Sequence, residues 1–208
     1  VDWSADDVTG KELDADLVKE ARAEEMQFIK DIPVYEEADL EERWRETGKG
    51  PLSTEWVDIQ KNEGVRSQWV ARDFKGKGDK DRDDLFAATP PLEAKKLLFR
   101  TAAAGASARK RRGEPQVKLM FIDVRKAHLN AKCDEDVFVE LPEEFESLGR
   151  CGKLKRWLYG MRKAAAGWED EYVSKLEGIG FSRGLAAPTT FYNKVTGVRL
   201  VVHGDDFT

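Results

Sequence analysis

Apolar positions recur near the helical period in four stretches of this chain. They predict helices over about residues 10–30, 36–47, 92–105 and 164–176. Thr9 and Glu12 have the spacing of a capping box, which indicates the start of the first helix. Pro90 and Pro91 stand where the third helix would begin, since proline is tolerated in a first helical turn.

Other stretches have an extended pattern. Residues 55–60 and 67–74 flank a turn-forming sequence at 61–64, which predicts a β-hairpin. Residues 117–124 are nearly all apolar, typical of a strand buried on both faces in an α/β or α+β layer. We also expect strands at 137–141, 190–193 and 198–203.

The last residues predict one more strand. Gly204, Asp205 and Asp206 indicate a second turn, and residues 207–208 begin a return strand. The sequence stops before that strand is complete. We therefore expect this chain to be a fragment of a longer polypeptide, since an unpaired strand leaves backbone groups unsatisfied.

Charge is spread unevenly along the chain. Residues 1–50 carry 16 acidic and 7 basic side chains, a net charge of −9, and the remainder is close to +4. We interpret 1–50 as an extension rather than a core element. The mildly basic remainder permits nucleic-acid binding without requiring it. Its densest basic run, 109–112, is either a solvated loop between two elements or a phosphate-contacting patch.

Composition excludes several classes of protein. An apolar fraction of 40% is enough for a buried core, but no stretch approaches a membrane span. Cys133 and Cys151 lie far apart, which argues against a disulfide scaffold or a zinc ribbon and fits a reducing compartment. We expect an intracellular protein, because the first residues show no signal-peptide pattern. With two histidines, any metal site must rely on carboxylates.

Three aspartates are the candidates for chemistry. Asp123 lies in an apolar strand, where a carboxylate needs a cation, hydrogen bonds or a metal; the alternatives are a strand-end cap or a salt bridge to Arg125. Asp205 and Asp206 follow a glycine and could be ordinary turn residues. Together, a strand aspartate and a hairpin tip with two more could converge on a pair of divalent cations, as phosphoryl transfer with two metals requires.

Five sequence blocks follow one another along residues 121–206, and a sixth region precedes them, so that the pattern covers about residues 51–208. The blocks are FIDVRKAHLNA at 121–131, DVFVELPEEF at 136–145, KLKRWLYGMRKA at 153–164 with Trp168, residues 181–191 with Pro188 and Thr189, and VHGDD at 202–206. Upstream lie Trp56, Val57, Arg66, 70–72 and 84–90. In this order and at this spacing the blocks resemble the reverse transcriptases of copia-type LTR retrotransposons, from the first catalytic-aspartate motif to the YxDD box.

The resemblance implies an α+β, right-hand polymerase fold. Its antiparallel palm sheet would pack on helices, and the chain would be truncated before the thumb. Residues 1–50 would be an acidic helical N-terminal extension, 51–115 the fingers part, and 116–208 an incomplete palm. The implied setting is a polyprotein with an integrase upstream and a ribonuclease H downstream, and with no membrane segment.

The resemblance also implies an activity, RNA-directed DNA polymerization. A primer 3′-hydroxyl on an RNA or DNA template would attack the α-phosphate of a dNTP and release pyrophosphate. Two Mg²⁺ ions, or Mn²⁺ ions in their place, would assist this attack. One alternative is a catalytically dead, truncated relic that at most binds nucleic acid. The other is an acidic interaction module, residues 1–50, fused to an inactive palm that only binds nucleic acid.

Site roles come from the same resemblance. The implied catalytic residues and metal ligands are Asp123, Asp205 and Asp206, with the carbonyl of Val124 as a further metal ligand. The implied nucleotide contacts are Arg66, Arg72, His128 and Lys163, and the implied primer contacts are His203 and Gly204.

Several substrate-facing positions depart from the family pattern. His203 replaces a tyrosine, Gln68 a basic residue, Lys163 a glutamine and Ala165 a proline. His128 replaces the aromatic residue under the nucleotide sugar; we hypothesise weaker exclusion of ribonucleotides, the alternative being a partly buried histidine with a backbone partner.

The tryptophans have a simpler interpretation. We assign Trp69, Trp157 and Trp168 mainly to packing, although an indole can also stack on a base.

Overall fold

The structure is a computed structural model that describes residues 4–74, 85–114, 116–145 and 148–208. The loop predicted at 75–84 lies outside these residues. The described part holds four α-helices and ten β-strands, so the mixed α+β class is confirmed. The helices are α1 (Ala15–Asp31), α2 (Leu40–Thr47), α3 (Leu92–Arg112) and α4 (Ala164–Gly178). The strands are β1 (Tyr35–Asp39), β2 (Thr54–Lys61), β3 (Gly64–Ala71), β4 (Ile122–Asp123), β5 (Phe138–Val139), β6 (Arg150–Leu154), β7 (Phe181–Arg183), β8 (Thr190–Asn193), β9 (Arg199–His203) and β10 (Asp206–Phe207).

The chain divides into two units, each built from two separate segments. The first unit contains the described residues of Val1–Leu85 and His128–Gly167. The second contains those of Phe86–Ala127 and Trp168–Thr208. In the described part, no helix is both long and apolar enough to cross a membrane.

The first unit combines a three-stranded sheet, in the order β1-β6-β5, with the β2–β3 hairpin. All of these strands pair antiparallel. Helix α1 packs against β3. The predicted hairpin is confirmed, with its turn at Asn62 and Glu63, where Asn62 adopts φ +55°. The two predicted burials, Trp69 and Trp157, are also confirmed, at 0% and 1% exposed.

The N-terminal segment was predicted to lie outside the core, and this is wrong. Val18, Met26 and Ile29 on α1 are at most 1% exposed. Residues 35–39 form β1, a strand paired with β6, where we expected helix. The strong negative charge lies on the outer faces and hides a normal apolar face, as in any amphipathic helix.

The start of α1 also differs from the prediction. Asp14, not Thr9, is the N-cap, and its side chain accepts hydrogen bonds from the backbone N–H groups of Asp16 and Leu17. Thr9 instead donates to the carboxylate of Asp6. The capping-box spacing was therefore coincidental, because the residues before Asp14 form a turn held by Asp6.

The second unit is built on a five-stranded sheet in the order β4-β10-β9-β8-β7. Every neighbouring pair in it is antiparallel, and the predicted hairpin of β8 and β9 is confirmed. Trp168 and Tyr172 of α4 pack edge-on against Phe207, with ring centroids 6.3 and 5.7 Å away. Trp168 is 6% exposed, so its predicted packing role is confirmed.

Helix α3 extends further than predicted. It runs to Arg112, and Gly113 closes it at φ +67°. The basic run 109–112 therefore forms the last helical turn rather than a loop. Cations in that turn interact favourably with the negative end of the helix dipole.

The strand predicted at 117–124 is mostly absent. Only Ile122 and Asp123 pair, as β4 at the edge of the sheet, and Met120 and Phe121 are 70% and 67% exposed. The prediction that this strand is buried on both faces is wrong, because β4 pairs with β10 on one side only and over two residues. The apolar run matched the composition of a central strand, but an edge position gives it few partners.

Candidate metal and catalytic centre

The turn between β9 and β10 carries two of the three candidate aspartates. Gly204 takes φ +64°, a conformation that glycine adopts without strain at the first position of a two-residue hairpin turn. Asp205 is the second turn residue, and Asp206 is the first residue of β10. The Gly-Asp-Asp sequence thus produces a sharp reversal with two carboxylates at its tip.

Strand register adds the third aspartate. Asp206 is directly opposite Asp123 on β4 and directly opposite His203 on β9. Side chains of directly opposed residues project from the same face of an antiparallel sheet. The carboxylates of Asp123, Asp205 and Asp206 consequently offer ligand oxygens that all lie within 4.8 Å of one another.

This carboxylate cluster has no internal compensation. All three aspartates are exposed, and within the described residues their carboxylates form no ion pair or hydrogen bond. Like charges directly opposite one another destabilise a sheet. A divalent cation would offset that repulsion, and carboxylate oxygens without histidine or cysteine are the donor set that Mg²⁺ prefers. The residues present therefore fit such an ion.

Backbone and aromatic contacts hold the cluster in place. The N–H of Val124 donates to the carbonyl of Asp205 at 3.0 Å, which ties the turn to the end of β4. The indole N–H of Trp168 donates to the carbonyl of Gly204 at 2.9 Å. Behind Trp168, burial raises the pKa of Tyr172 to about 12, so this support stays neutral at any physiological pH.

Lys95 is a site neighbour that sequence reasoning missed. Its Nζ lies 3.2 Å from Nδ1 of His203, the predicted primer contact. Lys95 is on α3, which packs beside β9. No motif marks this lysine, and its position depends on packing between a helix and a strand that periodicity does not specify.

Glu169 is a second residue that the sequence did not single out. Its carboxylate is nearly buried on α4, accepts a hydrogen bond from the N–H of Ala88 at 2.5 Å and pairs with Arg183. These contacts fix the segment that leads into α3. Glu169 therefore serves the scaffold of the second unit rather than its chemistry.

Two of the predicted nucleotide contacts lie on or after β3 in the first unit. Arg66 is exposed on β3. Arg72 is also exposed; its Nε lies 3.5 Å from a carboxylate oxygen of Glu55, and its guanidinium lies over the Phe74 ring. The guanidinium groups of Arg66 and Arg72 are therefore both accessible to a ligand.

The other two predicted nucleotide contacts lie in more crowded positions of the first unit. His128 is half-buried and packs edge-on against Tyr159, with ring centroids 5.2 Å apart. The Lys163 Nζ lies 3.1–3.2 Å from carboxylate oxygens of Glu135 and Asp134. Burial lowers the pKa of Lys163, but the hydrogen bonds to these carboxylates outweigh it, and the net pKa is raised. The carboxylate cluster is thus assembled from the second unit without these four residues.

Comparison with known proteins now decides the family. Residues 42–206 match the family model described as "Reverse transcriptase (RNA-dependent DNA polymerase)". The chain belongs to this reverse transcriptase family. It is also 22% identical, over 192 residues, to the retrovirus-related Pol polyprotein from transposon TNT 1-94 of Nicotiana tabacum. That alignment covers 88% of this chain and 13% of the polyprotein, so this reverse transcriptase chain matches a small part of its relative.

The match agrees with the copia-type resemblance, and this is the confirmed part of the sequence-based prediction. The family-model match begins within α2, includes β2 and β3, and ends at the β9–β10 turn. The carboxylate cluster therefore lies entirely within the matched region.

Proposed function

We propose that this chain carries the nucleotidyl-transfer site of an RNA-directed DNA polymerase, with Asp123, Asp205 and Asp206 as the ligands of two divalent cations. The observation that carries the proposal is the convergence of these three carboxylates within 4.8 Å of one another. They come from segments about 80 residues apart in the sequence. Family membership makes polymerization the reaction class that fits them.

Each residue has a distinct part in this proposal. Asp123 and Asp206 face one another across β4 and β10 and would hold the ions from two strands. Asp205 would close the site from the turn, and the Val124 carbonyl would be a further ligand. When bound, Mg²⁺ ions activate the attacking hydroxyl and stabilise the charge that develops on the phosphate.

The primer end would lie at the same hairpin. His203 and Gly204 precede the aspartates and are exposed, so a primer 3′-terminus has access to them. The 3′-hydroxyl would attack the α-phosphate of the incoming dNTP, forming the new phosphodiester bond as pyrophosphate leaves. The protein would contribute positioning and electrostatics rather than covalent chemistry.

We propose Arg66 and Arg72 as triphosphate contacts, because both guanidiniums are accessible. Lys163 could contact the nucleotide only by exchanging Glu135 and Asp134 for a phosphate. His128 remains proposed for the sugar contact. If His128 contacts the nucleotide sugar, His128→Phe should lower the ratio of ribonucleotide to deoxyribonucleotide incorporation. An unchanged ratio would contradict that role.

The test is primer extension on an RNA template with Mg²⁺ and dNTPs. The wild-type chain is compared with Asp123→Asn and with Asp170→Asn, a matched variant at an exposed position of α4. We expect extension by the wild type and Asp170→Asn, and a loss of at least about 100-fold in Asp123→Asn. Circular dichroism confirms that all three chains are folded. No extension by a folded wild-type chain would contradict the proposal.

A further inference from the structure

A pocket in the first unit has no part in the proposed polymerase site. Its volume is about 680 Å³, and α1, α2, β2, β3 and the segment 140–144 contribute to its walls. Its aromatic wall comes from Trp44, Trp56 and Trp69. Trp56 and Trp69 are directly opposite in the β2–β3 register, so they share one face of the hairpin. We refer to this cavity as the tryptophan pocket.

The charges of the tryptophan pocket are predominantly negative. Four glutamates and two arginines line it. The two arginines are already neutralised: Arg22 pairs with Asp58 and Glu144, and Arg150 pairs with Asp39. Phosphate groups would therefore meet uncompensated carboxylates, which disfavours nucleic acid in this pocket.

Two of the lining glutamates belong to no ion pair in the described part of the chain. Glu140 and Glu143 are exposed and form no ion pair with any residue that the structure describes. Trp44 on α2 is 57% exposed, so the surface of its indole ring is accessible. An accessible indole ring and unpaired carboxylates in the walls of one pocket are a combination that recognises an organic cation.

Arg22 shows which cation suits these walls. Its guanidinium carbon lies 5.2 Å from the centroid of the Trp56 ring, and its Nη1 lies 2.8 Å from a carboxylate oxygen of Glu144. Thus the pocket already combines guanidinium, indole and carboxylate within the chain. Arginine is weakly hydrated and planar, so it stacks on aromatic rings and binds carboxylates more readily than lysine does.

We propose that the tryptophan pocket binds the guanidinium of an arginine presented by a polypeptide partner, with Trp44 as the stacking surface and Glu140 and Glu143 as the counter-charges. The partner is defined by this chemistry: an exposed arginine on a peptide segment. The proposal concerns a protein interaction and does not depend on polymerase activity.

The test uses the full chain with ¹⁵N-labelled indole groups and the peptide acetyl-Gly-Arg-Gly-amide as the probe. The chain has six tryptophans, whose signals are assigned by single Trp→Phe variants. We expect saturable shifts at Trp44 and Trp56 and none at Trp168. The citrulline peptide, which has the same shape without the charge, should bind at least about fivefold more weakly.

Paired variants separate a specific site from general charge. Glu140→Gln with Glu143→Gln should weaken binding about fivefold. Glu12→Gln with Glu63→Gln removes the same charge from exposed positions that do not line the pocket and should leave binding unchanged. These surface changes leave the core intact.

Three results would overturn the proposal. The first is equal binding of the citrulline peptide, and the second is an equal effect of both variant pairs. The third is a single-stranded oligonucleotide that shifts the Trp44 and Trp56 signals, which would assign the pocket to nucleic acid instead.

Discussion

Asp58 of the first unit and the three clustered aspartates of the second have opposite environments. Asp58 in the first unit is 2% exposed, pairs with Arg22 at 2.7 Å, and accepts hydrogen bonds from Ser67 and Ser4. Asp123, Asp205 and Asp206 in the second unit are exposed and, in the described part of the chain, have no cationic partner.

We propose that the difference separates structural carboxylates from functional ones. A buried carboxylate with a full set of partners contributes to stability, and its removal leaves other buried groups unpaired. A cluster of exposed carboxylates without partners costs folding free energy through mutual repulsion. A divalent cation bound by the three carboxylates would offset that cost.

The largest effect on stability is expected at Asp58. Asp58→Ala leaves Arg22, whose side chain is 14% exposed, with Glu144 alone, and should lower the free energy of unfolding by about 3 kcal/mol. Urea denaturation measures the change. Asp205→Ala is the matched substitution in the carboxylate cluster and should cost less than about 0.5 kcal/mol. Equal losses in the two variants would erase the distinction between the buried, paired carboxylate and the exposed cluster.

Mg²⁺ should act on the carboxylate cluster alone. At about ten times its dissociation constant, a bound ion stabilises the folded chain by about 1.4 kcal/mol. Thermal unfolding with and without Mg²⁺ should show this gain in the wild type and its absence in Asp123→Asn, with ionic strength matched by NaCl. The same gain in both chains would mean that the ion binds elsewhere.

Without divalent cations, a smaller effect of opposite sign is expected from neutralising one aspartate. Asp206→Asn keeps the side-chain shape and removes repulsion with Asp123, so the free energy of unfolding should rise by about 0.2–1 kcal/mol. Urea denaturation in a chelating buffer measures it. A destabilised variant would show that Asp206 serves the fold.

The smallest effect concerns pH and a partnered carboxylate of the first unit. Backbone N–H groups of Gln60 and Thr9 donate to Asp6 and lower its pKa to about 2, from an ordinary value of 3.8. Because the folded pKa is the lower one, the stabilisation is present above about pH 4 and is lost as pH falls toward 2. The stability difference between wild type and Asp6→Asn should shrink over that interval, and a constant difference would contradict this assignment.

Local patterns predicted much of both units. Turn residues gave the β2–β3 and β8–β9 hairpins, and α4 matches its expected range closely because its periodic stretch ends at glycine. Asp123, Asp205 and Asp206 could be grouped because spacing and family resemblance both point to them. Their common face, however, depends on the pairing of Asp206 with Asp123, which the structure supplies.

The wrong predictions share one physical cause, which is that the composition of a segment does not specify which other segments pack against it. Residues 117–121 have the composition of a central strand yet lie unpaired beside the two-residue β4. Residues 1–50 look like a solvated extension, yet Val18 and Ile29 are fully buried. Lys95 reaches His203 through tertiary packing that local periodicity does not encode.

Whether Asp123, Asp205 and Asp206 form a divalent-cation site can be measured by electron paramagnetic resonance of bound Mn²⁺. We expect saturable Mn²⁺ binding to the wild type and to Asp170→Asn, and its loss in Asp123→Asn. Binding of the same strength and stoichiometry in Asp123→Asn would contradict this expectation.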